Sequence, residues 1–157
     1  MNILVLCTGN SARSILLEAI LNDLGGGRVQ AYSAGSKPAG AVHPQSLKLL
    51  EEMDHDTSDA RSKSWDEFAG RDAPEMDMVI TVCGSAAGET CPVWPGAPVR
   101  THWGVEDPAA LPEDDWEDGF RAAYDKLRAR AEALLKFPVE TMEPGTLKAT
   151  LDRIGRA

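Results

Sequence analysis

A chain of 157 residues with 43% hydrophobic and 26% charged residues is long enough to bury one core, and its formal net charge of -9 excludes counterion-driven binding to nucleic acid or an anionic membrane. No apolar run approaches the roughly eighteen residues of a membrane span, and Met1–Cys7 has neither the basic flank nor the apolar length of a signal peptide, so a cytoplasmic protein is expected. Three cysteines are an odd number, and a reducing cytosol disfavours structural disulfides, which leaves catalytic, redox-active or simply buried thiols.

Asn2-Ile3-Leu4-Val5-Leu6 is a short continuous apolar run and predicts a buried parallel strand. It runs into Cys7-Thr8-Gly9-Asn10-Ser11-Ala12-Arg13-Ser14, rich in small and polar residues. Ile15, Leu16, Ala19, Ile20 and Leu24 then fall at helical spacing, and Gly25-Gly26-Gly27 ends that helix. Val29 to Ser33 predicts a second strand, and Pro44 to Met53 a helix with Leu47, Leu49, Leu50 and Met53 as its apolar side. Ser64 can cap a short helix holding Trp65 and Phe68. Met76 to Val82 predicts a third strand, followed at once by Cys83 and then by a loop dense in Gly, Ala and Pro as far as Pro98.

Val99 to Trp103 predicts a short fourth strand. From Glu113 a long helix is expected, because Trp116, Phe120, Ala123, Tyr124, Leu127, Ala131 and Leu134 step by three or four. The acids between Glu113 and Asp118 suit that helix's amino terminus and need no ligand to explain them. Pro138 interrupts, and Pro144 to Ile154 predicts a terminal helix. Alternation of strands and helices points to an α/β fold of three layers, a parallel sheet with helices on both faces. One domain is expected over 1–137, with a helical extension over 138–157. Ligands in such sheets bind at the carboxyl ends of the strands, where Cys7 and Cys83 both stand.

A cysteine followed six positions later by arginine, between a strand and a helix, has a definite use. Successive N–H groups of Thr8, Gly9, Asn10, Ser11 and Ala12 can converge on one point, and the helix adds the positive end of its dipole. Such a nest binds a tetrahedral oxyanion, which Arg13 can bracket bidentately as Lys could not. The same field favours the Cys7 thiolate. Ser14 can donate to that sulfur, Asn10 can brace the loop through its amide, and Gly9 is expected to allow a backbone path that a β-carbon would block. A nucleophilic sulfur under a captured oxyanion is a catalytic arrangement. The rival is a glycine-bearing turn with a merely buried cysteine.

These residues resemble the low-molecular-weight protein tyrosine phosphatase family, whose signature is a Cys, five residues, then Arg near the amino terminus. The family's Asp-Pro, which carries its general acid, is matched by Asp107-Pro108, and the resemblance spans roughly Asn2 to Arg130. It implies a four-stranded parallel sheet. Within that fold, Val82-Cys83-Gly84-Ser85-Ala86-Ala87-Gly88-Glu89-Thr90-Cys91-Pro92 is similar to the redox segment of the arsenate reductases that share it, and Thr101 to Pro108 to their acid-bearing segment. Ala109 and Ala110 stand where the phosphatases usually place aromatic residues for a phosphotyrosine ring.

The resemblance implies attack of Cys7 on arsenate, proton donation by Asp107, and a disulfide relay from Cys7 through Cys83 to Cys91, reset by thioredoxin. Seven residues separate Cys83 from Cys91, one more than is usual in the thioredoxin-coupled form, so glutaredoxin with glutathione stays open as reductant. A phosphatase, or a non-catalytic oxyanion or redox sensor, is the alternative function. Inert thiols, or a zinc site shared with His102, are the alternative readings of Cys83 and Cys91. Some relatives bind potassium through positions that match Asn10, Glu18 and Ser33, but Lys63 stands at the fourth. Its ammonium can take the cation's place, so no metal and no cofactor is expected. His43 and His55 are expected to be exposed, His102 to pack, and Trp94 and Trp103 to serve the core or a partner surface. A monomer is expected.

Overall fold

Alternation along β1 (Asn2–Cys7) decides how the layers assemble, because successive side chains of a strand leave by opposite faces. Ile3, Val5 and Cys7 join one apolar cluster with residues of α1 (Arg13–Gly25), α2 (Pro44–Glu52), α3 (Trp116–Leu135) and α4 (Pro144–Arg156). Leu4 and Leu6 meet Ala34, Phe68, Met76 and Val79 in a second cluster on the other face. Ile3, Leu4, Val5 and Leu6 are all fully buried, as a strand covered on both sides requires. The computed structural model describes residues 1–70, 72–82 and 98–156. Cys83, Cys91 and Trp94 lie outside them.

β2 (Gln30–Gly35), β3 (Met78–Thr81) and β4 (Val99–His102) complete a parallel sheet of four strands in the order β2-β1-β3-β4. The chain leaves β1 for β2 on one side and returns past β1 to β3 on the other. This reversal opens a crevice beyond the carboxyl ends of β1 and β3, and Cys7 ends β1 there, paired with Gly35. β2 outruns the predicted Ser33 by two residues because Ala34 and Gly35 stay in register with Leu6 and Cys7. β3 is shorter than its apolar run, although Asp77 N and Val82 N still bond to Asn2 O and Leu6 O at its two ends.

α1 stops at Gly25, and Gly26 takes the left-handed conformation (φ 52°) that closes it. Ser64 caps a 3-10 turn over Trp65–Phe68, as the sequence predicts. Phe120, Ala123, Tyr124, Leu127, Ala131 and Leu134 of α3 are buried, again as their spacing requires. α4 lies against β4: Trp103, fully buried, donates Nε1–H to Leu151 O at 3.0 Å, and Thr101 Oγ1 meets Asp152 at 2.7 Å. No helix among the described residues is long and apolar enough to cross a membrane.

All three histidines depart from expectation. His43 is half-buried; its Nδ1 accepts from Gln45 N at 3.0 Å and caps α2, while its ring lies edge-on to Trp116 at 4.6 Å. His55 is half-buried too, with Nε2 2.7 Å from the Tyr124 hydroxyl, and burial pushes its pKa below the usual range. Both sit at the ends of α2, where docking on α3 draws turn residues into the interface. His102 is more exposed than packing predicts, although Nδ1 lies 2.7 Å from Thr81 Oγ1.

Candidate active site

The turn between Cys7 and Arg13 is held from outside. Thr8 O accepts from Lys37 N at 3.0 Å, and Gly9 O from Ala39 N at 2.9 Å and Ser62 Oγ at 3.1 Å. Ser11 O accepts from His43 N at 3.0 Å and Ser46 Oγ at 2.9 Å. In a trans peptide the C=O and the next N–H point opposite ways. With three carbonyls tied outward, the amides of Gly9, Asn10 and Ala12 turn to the inner side of the turn. Ala12 supplies no side-chain cap to α1 and the first turn of that helix holds no acid, so its positive end also faces this hollow uncompensated.

Asn10 is the pivot. It is fully buried with φ 45°, a left-handed conformation that asparagine tolerates better than most side chains. Its Nδ2–H donates to Ser14 Oγ at 2.8 Å, and its Oδ1 accepts from Lys63 N at 2.9 Å. Because Ser14 Oγ accepts that bond, its own proton remains for another acceptor. Gly9 does not carry the constraint expected of it. A β-carbon there would stand 3.6 Å from Ser11 Oγ, an ordinary contact. The steric demand falls on Gly35, where a β-carbon would collide with Thr8 O and lie 2.9 Å from Cys7 O. Gly35 carries no turn signal in the sequence, and only the pairing of β1 with β2 reveals it.

Cys7 is 5% exposed. Arg13, the first residue of α1, donates Nη1–H to Val105 O at 2.9 Å, and its Nη2 lies 3.7 Å from Asp107 Oδ2. Its Nε is buried and has no hydrogen-bond acceptor among the described residues, a donor left for an anion. Asp107 Oδ1 accepts from Ala109 N at 3.0 Å and caps a 3-10 turn over Pro108–Ala110. The structure thus brings Arg13 and Asp107 together beside the turn that Cys7 opens.

Behind Asn10 lies a buried ion pair. Lys63 Nζ stands 3.9 Å from Glu18 Oε2, 3.3 Å from Ser33 Oγ and 3.0 Å from Arg61 O. Burial pushes the Glu18 carboxyl up, against the lowering effect of Lys63, and pushes the Lys63 ammonium down, against the raising effect of Glu18. These residues do not fit a potassium ion, because an ammonium already stands between Glu18 and Ser33. Among the described residues no cluster of His, Cys, Asp and Glu is suited to hold a metal.

The sequence model of the family described as low molecular weight phosphotyrosine protein phosphatase matches residues 2–145. An arsenate reductase of Halalkalibacterium halodurans is 37% identical over 127 residues, covering 80% of this chain and 88% of that protein. Arsenate reductase 1 of Bacillus cereus is 36% identical over 126 residues, covering 80% and 87%. Among solved structures, an arsenate reductase in the phosphate binding state superposes with a TM-score of 0.69 at 28% identity, covering 86% of this chain and 96% of that one. A thioredoxin-dependent arsenate reductase of Corynebacterium glutamicum gives a TM-score of 0.63 at 27% identity, covering 86% and 60%.

Proposed function

The chain belongs to the low molecular weight phosphotyrosine protein phosphatase family, and on that premise we propose that it reduces arsenate to arsenite with Cys7 as nucleophile. The observation that carries this reading is the turn from Thr8 to Ala12, in which the carbonyls of Thr8, Gly9 and Ser11 are tied outward and beside which lies the buried Nε of Arg13, without an acceptor among the described residues. The inward amides of Gly9, Asn10 and Ala12, within the stretch from Thr8 to Ser14, and the Arg13 guanidinium would cradle the oxyanion, and that positive field would keep Cys7 ionised.

The Cys7 thiolate attacks arsenic and forms an S–As bond, while one arsenate oxygen departs with a proton from Asp107. The Cys83 thiolate then attacks the Cys7 sulfur. An S–S bond forms, the S–As bond breaks, and its electron pair stays on arsenic, which leaves as arsenite in the trivalent state. The Cys91 thiolate attacks Cys83, frees Cys7 as thiolate and closes a Cys83–Cys91 disulfide. A dithiol carrier returns two electrons to that disulfide. The Corynebacterium relative described as thioredoxin-dependent supports thioredoxin in this role; the cytoplasm as the reducing compartment and the monomer as the working unit complete the proposal. Ala109 and Ala110 after Pro108 present no aromatic wall for a phosphotyrosine, which favours arsenate over a phosphorylated protein.

Cys91→Ser tests the relay. It should release one equivalent of arsenite per enzyme and then stop, with no recycling by thioredoxin. Normal cycling of that variant overturns the three-thiol sequence.

A further inference from the structure

The proton donor proposed above stands on an exposed turn, and its placement depends on the backbone just before it. Trp103 N bonds to Thr81 O at 2.7 Å, and Val105 N bonds to Val82 O at 3.1 Å, so the segment hangs from the end of β3. Its carbonyls are held from the other side. Val105 O receives Arg13 Nη1 from α1 at 2.9 Å, and Gly104 O receives Arg130 Nη1 from α3 at 3.1 Å. Two guanidiniums from different helices thus grip consecutive carbonyls, and Asp107 follows two residues later.

Arg130 is an unexpected residue on that face of α3. It is 6% exposed, between the buried Leu127 and Ala131, and its Nε is buried with no hydrogen-bond partner. Among the described residues no carboxylate pairs with it. Burial pushes its pKa below the usual arginine value. An unpaired guanidinium in a core is costly, and an apolar side chain of similar length would fill the same space more cheaply. What an apolar residue cannot do is donate to Gly104 O. A charged donor in a dry setting makes a strong bond to a carbonyl, strong enough to fix a short segment.

We infer that Arg130 is a positioning residue for the reaction, holding Asp107 at the mouth of the Cys7 turn through the carbonyl of Gly104. This rests on the reading of Asp107 as proton donor. Arg130 touches neither substrate nor sulfur, and its effect belongs to the geometry of proton delivery.

The test is a double-mutant cycle on the full chain: native, R130Q, D107N and R130Q/D107N, with R130K beside them. Single-turnover arsenite release is the rate; phosphate affinity and alkylation of Cys7 by iodoacetamide report the cradle and its thiolate. R130Q should slow arsenite release by roughly 10- to 100-fold, the scale expected when a catalytic group is misplaced by about 1 Å. Phosphate affinity and Cys7 alkylation should stay within about twofold, and R130K should recover part of the rate. In the D107N background R130Q should add no more than about twofold, because the group it positions is already disabled.

An equal penalty in both backgrounds, or native speed in R130Q, overturns the inference. If D107N itself runs at the native rate, it is the proton-donor reading that fails, and R130Q alone then has nothing to act through. Should R130Q lose its cooperative melt, R130M, which fills the volume with apolar atoms, replaces it in the cycle.

Discussion

The turn of residues 8–12 and the segment of residues 103–108 meet at one mouth and are built in opposite ways. The turn is tied by main-chain carbonyls to 37–46 and 62, pivots on a fully buried Asn10, and is backed by the closed-in Gly35. The acid segment ends in an Asp107 side chain that is 44% exposed, 3.7 Å from Arg13, and capped onto its own short turn. A cradle for charge gains from rigidity, since preorganised dipoles stabilise charge without reorganising. A proton donor must reach a departing oxygen and then regain a proton from water, so exposure suits it. Two arginines reconcile the two designs by gripping consecutive backbone carbonyls of the segment, and Arg13 also lies beside its carboxylate.

The strongest way to break this contrast is at the rigid side. Cys7→Ser should abolish arsenite formation while phosphate still binds, because the cradle survives without its sulfur. Arg13→Lys should cost about 100- to 1,000-fold in kcat/KM, the scale of losing fixed donors around a developing charge. Both are read by arsenite assay and by phosphate inhibition. On the exposed side, Asp107→Asn should lower kcat by about 100-fold and change stability by less than about 0.5 kcal/mol, checked by turnover and by urea melts. A large loss of stability there would show the acid segment to be as structural as the turn.

Gly35→Ala sharpens the same point from outside the site. Its β-carbon would meet Thr8 O and Cys7 O, so the variant should lose about 2 kcal/mol of stability and bind phosphate poorly, although residue 35 touches no anion.

Lys63→Met should cost a comparable amount of stability, about 2 kcal/mol, and the loss should depend on pH. In the native protein the raised Glu18 pKa is a contribution present below its ordinary value of 4.5 and lost as pH rises through the folded value. The depressed Lys63 pKa is a contribution present above 10.5 and lost as pH falls through the folded value. Between the two folded values both groups carry charge against the cost of burial, each offset by the other. Without the ammonium, Glu18 is penalised whenever it is ionised, so the loss in urea melts should be larger at pH 8 than at pH 5. An equal loss at both values would remove the ion pair from the account.

Local order in the chain made much of this legible. An apolar run, a small-residue turn and a helical stripe from Asn2 to Leu24 place Cys7, Arg13 and Ser14 with only a residue or two of error at the ends of elements. The same holds for α3, where six apolar side chains of the stripe are buried as their spacing demands. Arg130, on the same face, has the opposite character: its position repeats the apolar stripe but its charge does not, and only the approach of Gly104 gives it a reason to be inside. Gly9 and Gly35 show the same limit, since a glycine in a turn attracts suspicion while the one under real steric constraint ends a strand. His43 and His55 are half-buried against expectation because polarity in a turn says nothing about which helix will dock upon it.

What the sequence alone determined is the presence of a strand, an anion-binding turn and a helix in immediate succession, with a cysteine and an arginine at its two ends. That unit depends on neighbours within a few positions, and periodicity and spacing report such neighbours directly. The tertiary structure decided which remote groups complete it: Gly35 under the turn, Lys63 behind Asn10, and Arg13 and Arg130 on the carbonyls before Asp107. Those contacts join residues far apart in the chain, and their geometry exists only once the strand order β2-β1-β3-β4 has folded the distant segments onto one edge.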